Sequence, residues 1–205
     1  NYRGRFKQRH FKINQDYFKN WNNNMAYILG FIFADGYISD KGLRINLSIK
    51  DLPLLESIKS ELEYEGDIKH TRSRCGDKYH DSIYLSVNCL DMETDLKSLG
   101  LFQNKSLTKT FPYVPQEFEI DFIRGYFDGN GSVSNKRQIH KYKNSDTYQI
   151  ISRFTSGSKD MLEGVQKVLS NHGLKPKNVK SYKSNAFEIT YSTSESYKLY
   201  ELFYK

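Results

Sequence analysis

The sequence predicts an α+β fold built from two similar halves. The first observation is a pair of matched stretches, YILGFIFADG at residues 27–36 and FIRGYFDGNG at residues 122–131. Each reads as an apolar helix with a glycine near its middle, and each ends on a small residue, an Asp or Asn, and a glycine. The second observation is that strand-like and helix-like segments follow both copies in a similar order. We therefore expect each half to run helix, two strands, helix, two strands, helix.

In the first half, the Asn22–Asn24 run predicts a helix N-cap, and Gly36 predicts the end of the first motif helix. Residues 43–50 alternate in polarity and predict one strand with an apolar inner face. That inner face would comprise Leu43, Ile45, Leu47 and Ile49. The other predicted elements of this half are a helix over residues 51–62, a hairpin over 67–88 and a helix over 90–99.

A connector with Pro112 and Pro115 separates the halves. Glu117, Glu119 and Asp121 follow it and favour a helix start, because acidic side chains stabilise the N-terminal end of a helix. The predicted elements after it are the second motif helix, a hairpin over residues 132–155, a helix over 160–171, a hairpin over 177–192 and a helix over 195–204. The predicted organisation is a basic N-terminal arm (1–20), a first half (21–112) and a second half (113–205).

Composition favours an anionic partner. The chain has 31 Lys and Arg against 24 Asp and Glu, a net charge of +7 and a pI of about 9.2, and nucleic acid is the first candidate for such a charge. No apolar run predicts a membrane span. The cysteines, Cys75 and Cys89, are too few for a disulfide framework and favour a reducing compartment, either cytoplasmic, nucleoid-associated or in an organelle. Because the chain begins at Asn1 rather than at a methionine, an upstream segment is expected.

The ends of the two motifs favour a cation site. Asp35 follows the last turn of a helix, where the terminal carbonyls already carry negative partial charge. A hard divalent cation, which takes oxygen ligands, would stabilise a carboxylate at such an end. It would also reduce the repulsion between two such ends that lie side by side. The candidate metal ligands are therefore Asp35, Asn130, Ala34 and Gly129.

Small residues predict how these ends could meet. Gly30 with Ala34, and Gly125 with Gly129, each lie on one face of a helix. A glycine inside a helix costs about 1 kcal/mol relative to alanine, so its presence suggests close packing of two backbones. A buried helix with a C-terminal glycine would explain one copy without any function, but it does not explain two matched copies with polar ends.

Both stretches resemble the LAGLIDADG motif of homing endonucleases. ILGFIFADG at residues 28–36 and IRGYFDGNG at residues 123–131 align with it position by position, and the segment FPYVPQEFEIDFIRGYFDGNGS resembles the lead into the second motif of single-chain members. The resemblance covers residues 21–205. It implies a pseudo-symmetric monomer in which the motif helices form the interface and two four-stranded sheets form a saddle over the DNA major groove.

The resemblance also implies a mechanism. The acidic residue at the eighth motif position holds a divalent metal, usually Mg²⁺, and the corresponding residues here are Asp35 and Asn130. The cation assists hydrolysis of each DNA strand. Lys105 resembles the basic residue near the family's pocket, and its second-half counterpart would lie at or beyond Lys205. The implied catalytic residues are therefore Asp35, Asn130 and Lys105.

One position departs from the family pattern. The second motif normally ends on Asp or Glu, but this chain has Asn130, which is uncharged and holds a hard cation less well. Three explanations stay open: a substitution introduced to trap uncut DNA, a natural loss of cleavage with DNA binding kept, or a single good site that supports nicking. Phe33, where the motif often has Asp, is at a structural position that varies.

The outward strand positions are rich in side chains that reach base edges and phosphates. The predicted DNA-binding residues are Arg44, Asn46, Ser48, Lys50, Arg72, Arg74, Lys136, Arg137, Gln138, His140, Lys141, Gln149, Arg153, Lys180 and Lys183.

The resulting prediction is a monomeric homing endonuclease that binds a long double-stranded DNA site and cuts it with Mg²⁺, with Asn130 impairing cleavage. The first alternative is a non-cleaving binder on the same scaffold, either a DNA-binding regulator or an intron-splicing maturase that binds RNA. A helical scaffold protein that binds no nucleic acid is a weaker alternative.

Overall fold

The computed structural model describes residues 11–39, 42–102, 108–138, 147–183 and 185–205. These residues form two repeats of one α+β pattern, which confirms the predicted fold class. The first repeat comprises α1 (Asn23–Asp35), β1 (Gly36–Ser39), β2 (Gly42–Ser48), α2 (Leu52–Glu61), β3 (Lys69–Cys75), β4 (Lys78–Val87) and α3 (Leu90–Ser98). The second comprises α4 (Glu119–Asn130), β5 (Gly131–Gln138), β6 (Thr147–Ser156), α5 (Lys159–Asn171), β7 (Lys180–Lys183), β8 (Ala186–Tyr191) and α6 (Thr193–Tyr204).

Each repeat contains one four-stranded antiparallel sheet with the same connectivity. The strand orders are β1-β2-β4-β3 and β5-β6-β8-β7. The registers also match, because Gly36 pairs with Ile45 in the first sheet and Gly131 pairs with Phe154 in the second. These pairings establish which residues of the two halves are equivalent.

One face of each sheet is covered by helices and forms part of the core. In β2, Leu43, Ile45 and Leu47 are buried as predicted, and in the second sheet Phe154 and Ile189 take the equivalent inward positions. The alternate residues of each strand point to the opposite face. That second face is the one available for a ligand.

The motif helices α1 and α4 pack directly against each other at the centre of the molecule. Side chains of Asn23 and Tyr27 on α1 donate hydrogen bonds to Asp121 (2.7 Å) and Asp128 (2.9 Å) on α4. Burial of α1 is nearly complete from Met25 to Phe33. These contacts fix the two halves in one orientation.

Three local features differ from the sequence-based expectations. Strand β1 is the first of the two strands expected after the motif helix, but its bounds are not predicted, because its four residues directly follow that helix without a turn signal. Strand β2 ends at Ser48, and Ile49 is 43% exposed rather than inward, because the chain leaves the strand through a 3-10 turn at Ile49–Asp51.

Part of the predicted N-terminal arm packs on the first half. Tyr17 and Phe18 are buried, within a 3-10 turn at Tyr17–Lys19, whereas residues 1–10 lie outside the described residues. Among the helices of the described ranges, none is long and apolar enough to cross a bilayer.

Candidate active site and nucleic-acid interface

The motif helices approach each other at the predicted glycines. A Cβ atom built on Gly30 would lie 1.9 Å from the carbonyl oxygen of Phe122, and one built on Gly125 would lie 1.9 Å from the carbonyl oxygen of Tyr27. Neither distance is compatible with a real side chain, so both positions need glycine. Because the two contacts are reciprocal, equivalent positions of α1 and α4 lie side by side and the helices end together.

The C-terminal ends of the two helices meet one turn later. A Cβ atom on Gly129 would lie 2.4 Å from Ala34 Cβ and 3.5 Å from Asp35 Oδ2. The carboxylate of Asp35 therefore lies against the last turn of α4, beside the residue that precedes Asn130. The structure thus brings the two motif ends to one place.

The buried side chain of Tyr126 lies near the meeting point of the motif ends, and both ends influence the pKa of its hydroxyl. Burial raises the pKa of its hydroxyl, and the charge of Asp35 adds to that rise, whereas hydrogen bonds with Ser156 and Asn130 oppose it. The main-chain oxygen of Asn130 accepts a hydrogen bond from Thr155 Oγ1 at 2.9 Å. Because Asp35 and Asn130 act on the same hydroxyl, they belong to one electrostatic environment.

Lys109 supplies a buried cation at the same site. Its side chain is only 6% exposed, and Nζ donates a hydrogen bond to the carbonyl oxygen of Phe33 at 3.0 Å. The ammonium also lies 4.8 Å from the centre of the Tyr126 ring. Burial lowers the pKa of Lys109 to about 8, and the charge of Asp35 works against that change. Lys109 therefore offsets negative charge at the end of α1 at a cost in desolvation.

Replacing Lys109 by methionine should change how stability depends on pH. Between pH 8 and its ordinary pKa of 10.5, Lys109 is more protonated in the unfolded chain than in the folded one, so the free energy of unfolding rises with pH there and falls as pH drops to 8. The full shift corresponds to roughly 3 kcal/mol. We expect Lys109→Met to flatten this rise.

Urea unfolding of both proteins at several pH values from 7 to 10 would measure it. Lys167→Met, which replaces an exposed lysine on α5, is the control and should keep the slope of the parent. Equal slopes for Lys109→Met and the parent would contradict the described environment of Lys109.

The donor set at the motif ends suits a hard cation but is low in charge. Within the described ranges, no three His, Cys, Asp or Glu side chains are grouped as a metal cluster would require. A cation here would rely on the Asp35 carboxylate, the Asn130 amide oxygen and main-chain carbonyls at Ala34 and Gly129. These oxygen donors fit Mg²⁺ or Ca²⁺. A second carboxylate in place of Asn130 would fit better, since Lys109 adds positive charge nearby.

The first sheet presents a mixed polar face away from its helices. Arg44, Asn46 and Ser48 share this face by strand alternation, and the Arg44 guanidinium carbon lies 3.7 Å from the centre of the Tyr84 ring. Lys50, predicted to extend the same row, instead lies in the 3-10 turn that follows β2.

Arg72 and Arg74 do not lie on this face. The β3–β4 hairpin turns at Gly76 and Asp77, and the resulting register pairs Arg72 with Asp81 and Arg74 with Tyr79. Their side chains therefore share the face of Ile83, which is the helix-covered side of the sheet. Each also has an acidic neighbour, with Arg72 Nε 3.4 Å from an Asp81 oxygen and Arg74 Nη2 3.7 Å from an Asp77 oxygen. The two-residue turn thus sets them on the face opposite Arg44, and their contact with DNA stays a prediction.

The second sheet presents a more strongly polar face. Lys136 pairs with Gln149, and both share the face of Arg153 and Lys180. Arg137 pairs with Tyr148 and therefore alternates to the opposite face. The remaining predicted residues lie outside the described part of the chain, either entirely or in their side chains, and their placement stays a prediction; they are Lys105, His140, Lys141, Gln138 and Lys183.

Comparison with known proteins matches one half of the chain to a domain family. Residues 117–203 match the LAGLIDADG-like domain model. The second half of the chain therefore contains a LAGLIDADG-like domain. No curated protein sequence matches the chain.

The fold likeness to solved LAGLIDADG proteins extends over most of the chain. The I-LtrWI LAGLIDADG homing endonuclease bound to target DNA has a TM-score of 0.60 and 15% identity, covering 93% of this chain and 85% of that chain. Meganuclease I-SmaMI bound to uncleavable DNA has a TM-score of 0.59 and 12% identity, covering 87% of this chain and 83% of that one. LAGLIDADG meganuclease I-AabMI bound to uncleaved DNA has a TM-score of 0.56 and 15% identity, covering 89% and 83%. At these identities the likeness establishes the fold.

Sequence reasoning missed several residues of this site. Lys109 lies two residues before Phe111, yet nothing in the sequence marks it as a buried lysine. Tyr84 and Lys69 share the open face of the first sheet, and Glu188 shares that of the second. Strand alternation could have found Tyr84 and Glu188, because both lie in segments that the sequence predicts as hairpins.

Proposed function

We propose that this LAGLIDADG protein is a site-specific double-stranded DNA endonuclease of the homing type, acting as a monomer. One observation carries the proposal: the ends of the two motif helices meet with Asp35 between the halves, and each half carries a sheet with an open polar face. A duplex lying across both sheets would place its phosphates at the motif ends. The solved neighbours bound to DNA support this arrangement.

The residues at the motif ends have distinct roles in the proposed reaction. Asp35 would hold a divalent cation, most simply Mg²⁺, with the Asn130 amide oxygen as a weaker ligand. When bound, the cation polarises the scissile phosphate and lowers the pKa of a water molecule. Tyr126 would help to position Asn130 through its hydroxyl, and Lys109 would limit the negative charge that phosphate meets.

Selection from random duplex DNA tests the proposal. A single enriched sequence, bound with strong salt dependence and longer than one sheet can cover, would support it. Tighter binding of structured RNA than of any duplex DNA would favour the maturase alternative. Absence of binding to every nucleic acid would contradict the proposal.

Arg44→Ala should weaken binding to the selected DNA about tenfold, because it removes the guanidinium group that lies over Tyr84 and would contact a base or phosphate. Arg72→Ala is the matched control, since it removes the same charge from the opposite face of the same sheet and should change affinity less than about twofold. Fluorescence anisotropy titrations at moderate salt would measure both. Equal losses for the two variants would contradict the assignment of the open face as the DNA face.

A further inference from the structure

The matched registers of the two sheets place Arg44 and Arg153 at equivalent positions. Arg44 pairs with Tyr37 on one side and Ser86 on the other. Arg153 pairs with Ser132 and Thr190 in the same geometry. The two arginines are therefore counterparts on the open faces of the two sheets.

Their neighbours are also counterparts, but they differ in chemistry. Tyr84 pairs with the residue two positions after Arg44, and Glu188 pairs with the residue two positions after Arg153. In the first half, Arg44 stacks on the neutral ring of Tyr84. In the second half, Arg153 Nε lies 3.0 Å from Glu188 Oε2. One arginine thus packs on an uncharged ring, whereas the charge of the other is offset by an acid.

The Arg153–Glu188 pair is partly buried and has unused hydrogen-bonding capacity. The side chains are 29% and 18% exposed. Despite their short separation, Arg153 Nε and Glu188 Oε2 have no aligned hydrogen bond within the described part of the chain. Both side chains line a hollow of about 610 Å³, together with Gln149, Asn178 and Lys180. A ligand that offers both an acceptor and a donor would satisfy both groups.

A G·C base pair offers that combination in the major groove. Guanine presents the N7 and O6 acceptors that arginine binds, and cytosine presents an N4 amino group that a carboxylate accepts. A phosphate offers acceptors alone and would be repelled by Glu188. We infer that Arg153 and Glu188 together read one G·C base pair in the second half of the target, with Glu188 as the specificity-determining residue for cytosine. This inference rests on the proposed DNA binding.

Glu188→Gln tests the inference because it keeps the shape of the side chain and removes its charge. The experiment measures affinity for the selected duplex and for variants with each of the other base pairs at every position. The parent should prefer G·C at one position in the second half-site. In Glu188→Gln, preference for cytosine over thymine there should fall about tenfold, because the amide can also donate to thymine O4.

The loss of the Glu188 charge should also change how DNA binding depends on salt. Freed from its acid, Arg153 should contact phosphate on non-specific DNA, and the slope of log affinity against log salt should steepen by about 0.9. Glu163→Gln is the matched control, since it makes the same substitution on α5, where Glu163 pairs with Lys159. Glu163→Gln should leave both readouts unchanged.

A third variant tests whether Arg153 and Glu188 recognise the same base pair or act independently. Arg153→Ala should relax preference at the same base pair as Glu188→Gln. Unchanged base preferences in Glu188→Gln, or effects of the two variants at different positions, would overturn the inference while leaving DNA binding intact. Absence of any DNA binding by the parent would instead overturn the proposed function, and the inference with it.

Discussion

Gly30→Ala is expected to destabilise the protein by about 4 kcal/mol or more, enough to unfold much of it. The new Cβ atom would lie 1.9 Å from the main-chain oxygen of Phe122. Main-chain atoms inside a helix cannot move aside as a flexible side chain can, so α1 and α4 would have to separate. Separation would expose the apolar surface that the two helices bury together. Gly125→Ala should have a similar effect, because its contact with Tyr27 is the reciprocal one.

Gly173→Ala controls for the intrinsic effect of losing a glycine. Gly173 has a φ of +86°, and no atom lies within 4 Å of the position that a Cβ atom would take there. Alanine at this position therefore meets backbone strain of about 1 to 2 kcal/mol without any clash. Thermal and urea unfolding of the three variants would separate strain from collision. Stability losses for Gly30→Ala and Gly125→Ala no larger than that of Gly173→Ala would contradict the direct packing of α1 on α4.

Asn130→Asp is expected to raise Mg²⁺-dependent cleavage of the selected DNA by at least about a hundredfold. The parent has one carboxylate at the meeting point of the helices, and a second one would provide a charged ligand from α4. The buried ammonium of Lys109 lies at the same site and would offset part of the added repulsion. The structure needs no rearrangement for this gain, since aspartate and asparagine have nearly the same shape.

Cleavage rates at saturating protein would measure the gain without the influence of affinity. The matched control is the double variant Asp35→Asn with Asn130→Asp, which keeps the same number of carboxylates as the parent and should cut no faster than it. Equal rates for the parent and Asn130→Asp at every Mg²⁺ concentration would show that Asn130 does not limit the reaction.

The repeat and its glycines were accessible from the sequence because they leave a local signature. Gly30 and Gly125 stand inside apolar helices where glycine is unfavourable, and a close helix contact is the direct physical reason for keeping them. The alternation of Leu43, Ile45 and Leu47 likewise reports burial on one face of a strand. These features depend on a few neighbouring residues and on one partner surface.

Other features depended on structure distant in sequence. A two-residue turn at Gly76 determines the face of the sheet on which Arg72 lies. A basic residue in a predicted hairpin does not show which face it will occupy. Burial of Lys109 results from the connector passing the end of α1, which its own segment does not encode. The proposed role of Glu188 depends on its equivalence to Tyr84, which only the strand register shows.

The central claim is that one active site lies between the two halves, at the meeting ends of α1 and α4. Mapping the cuts made by Asn130→Asp relative to the footprint of the protein on its selected DNA tests this claim most directly. Because the site lies between the two sheets, both strands should be cut near the middle of the protected sequence. Cuts at one end of the footprint, or a bound duplex that stays intact with Mg²⁺ and with Mn²⁺, would contradict the account.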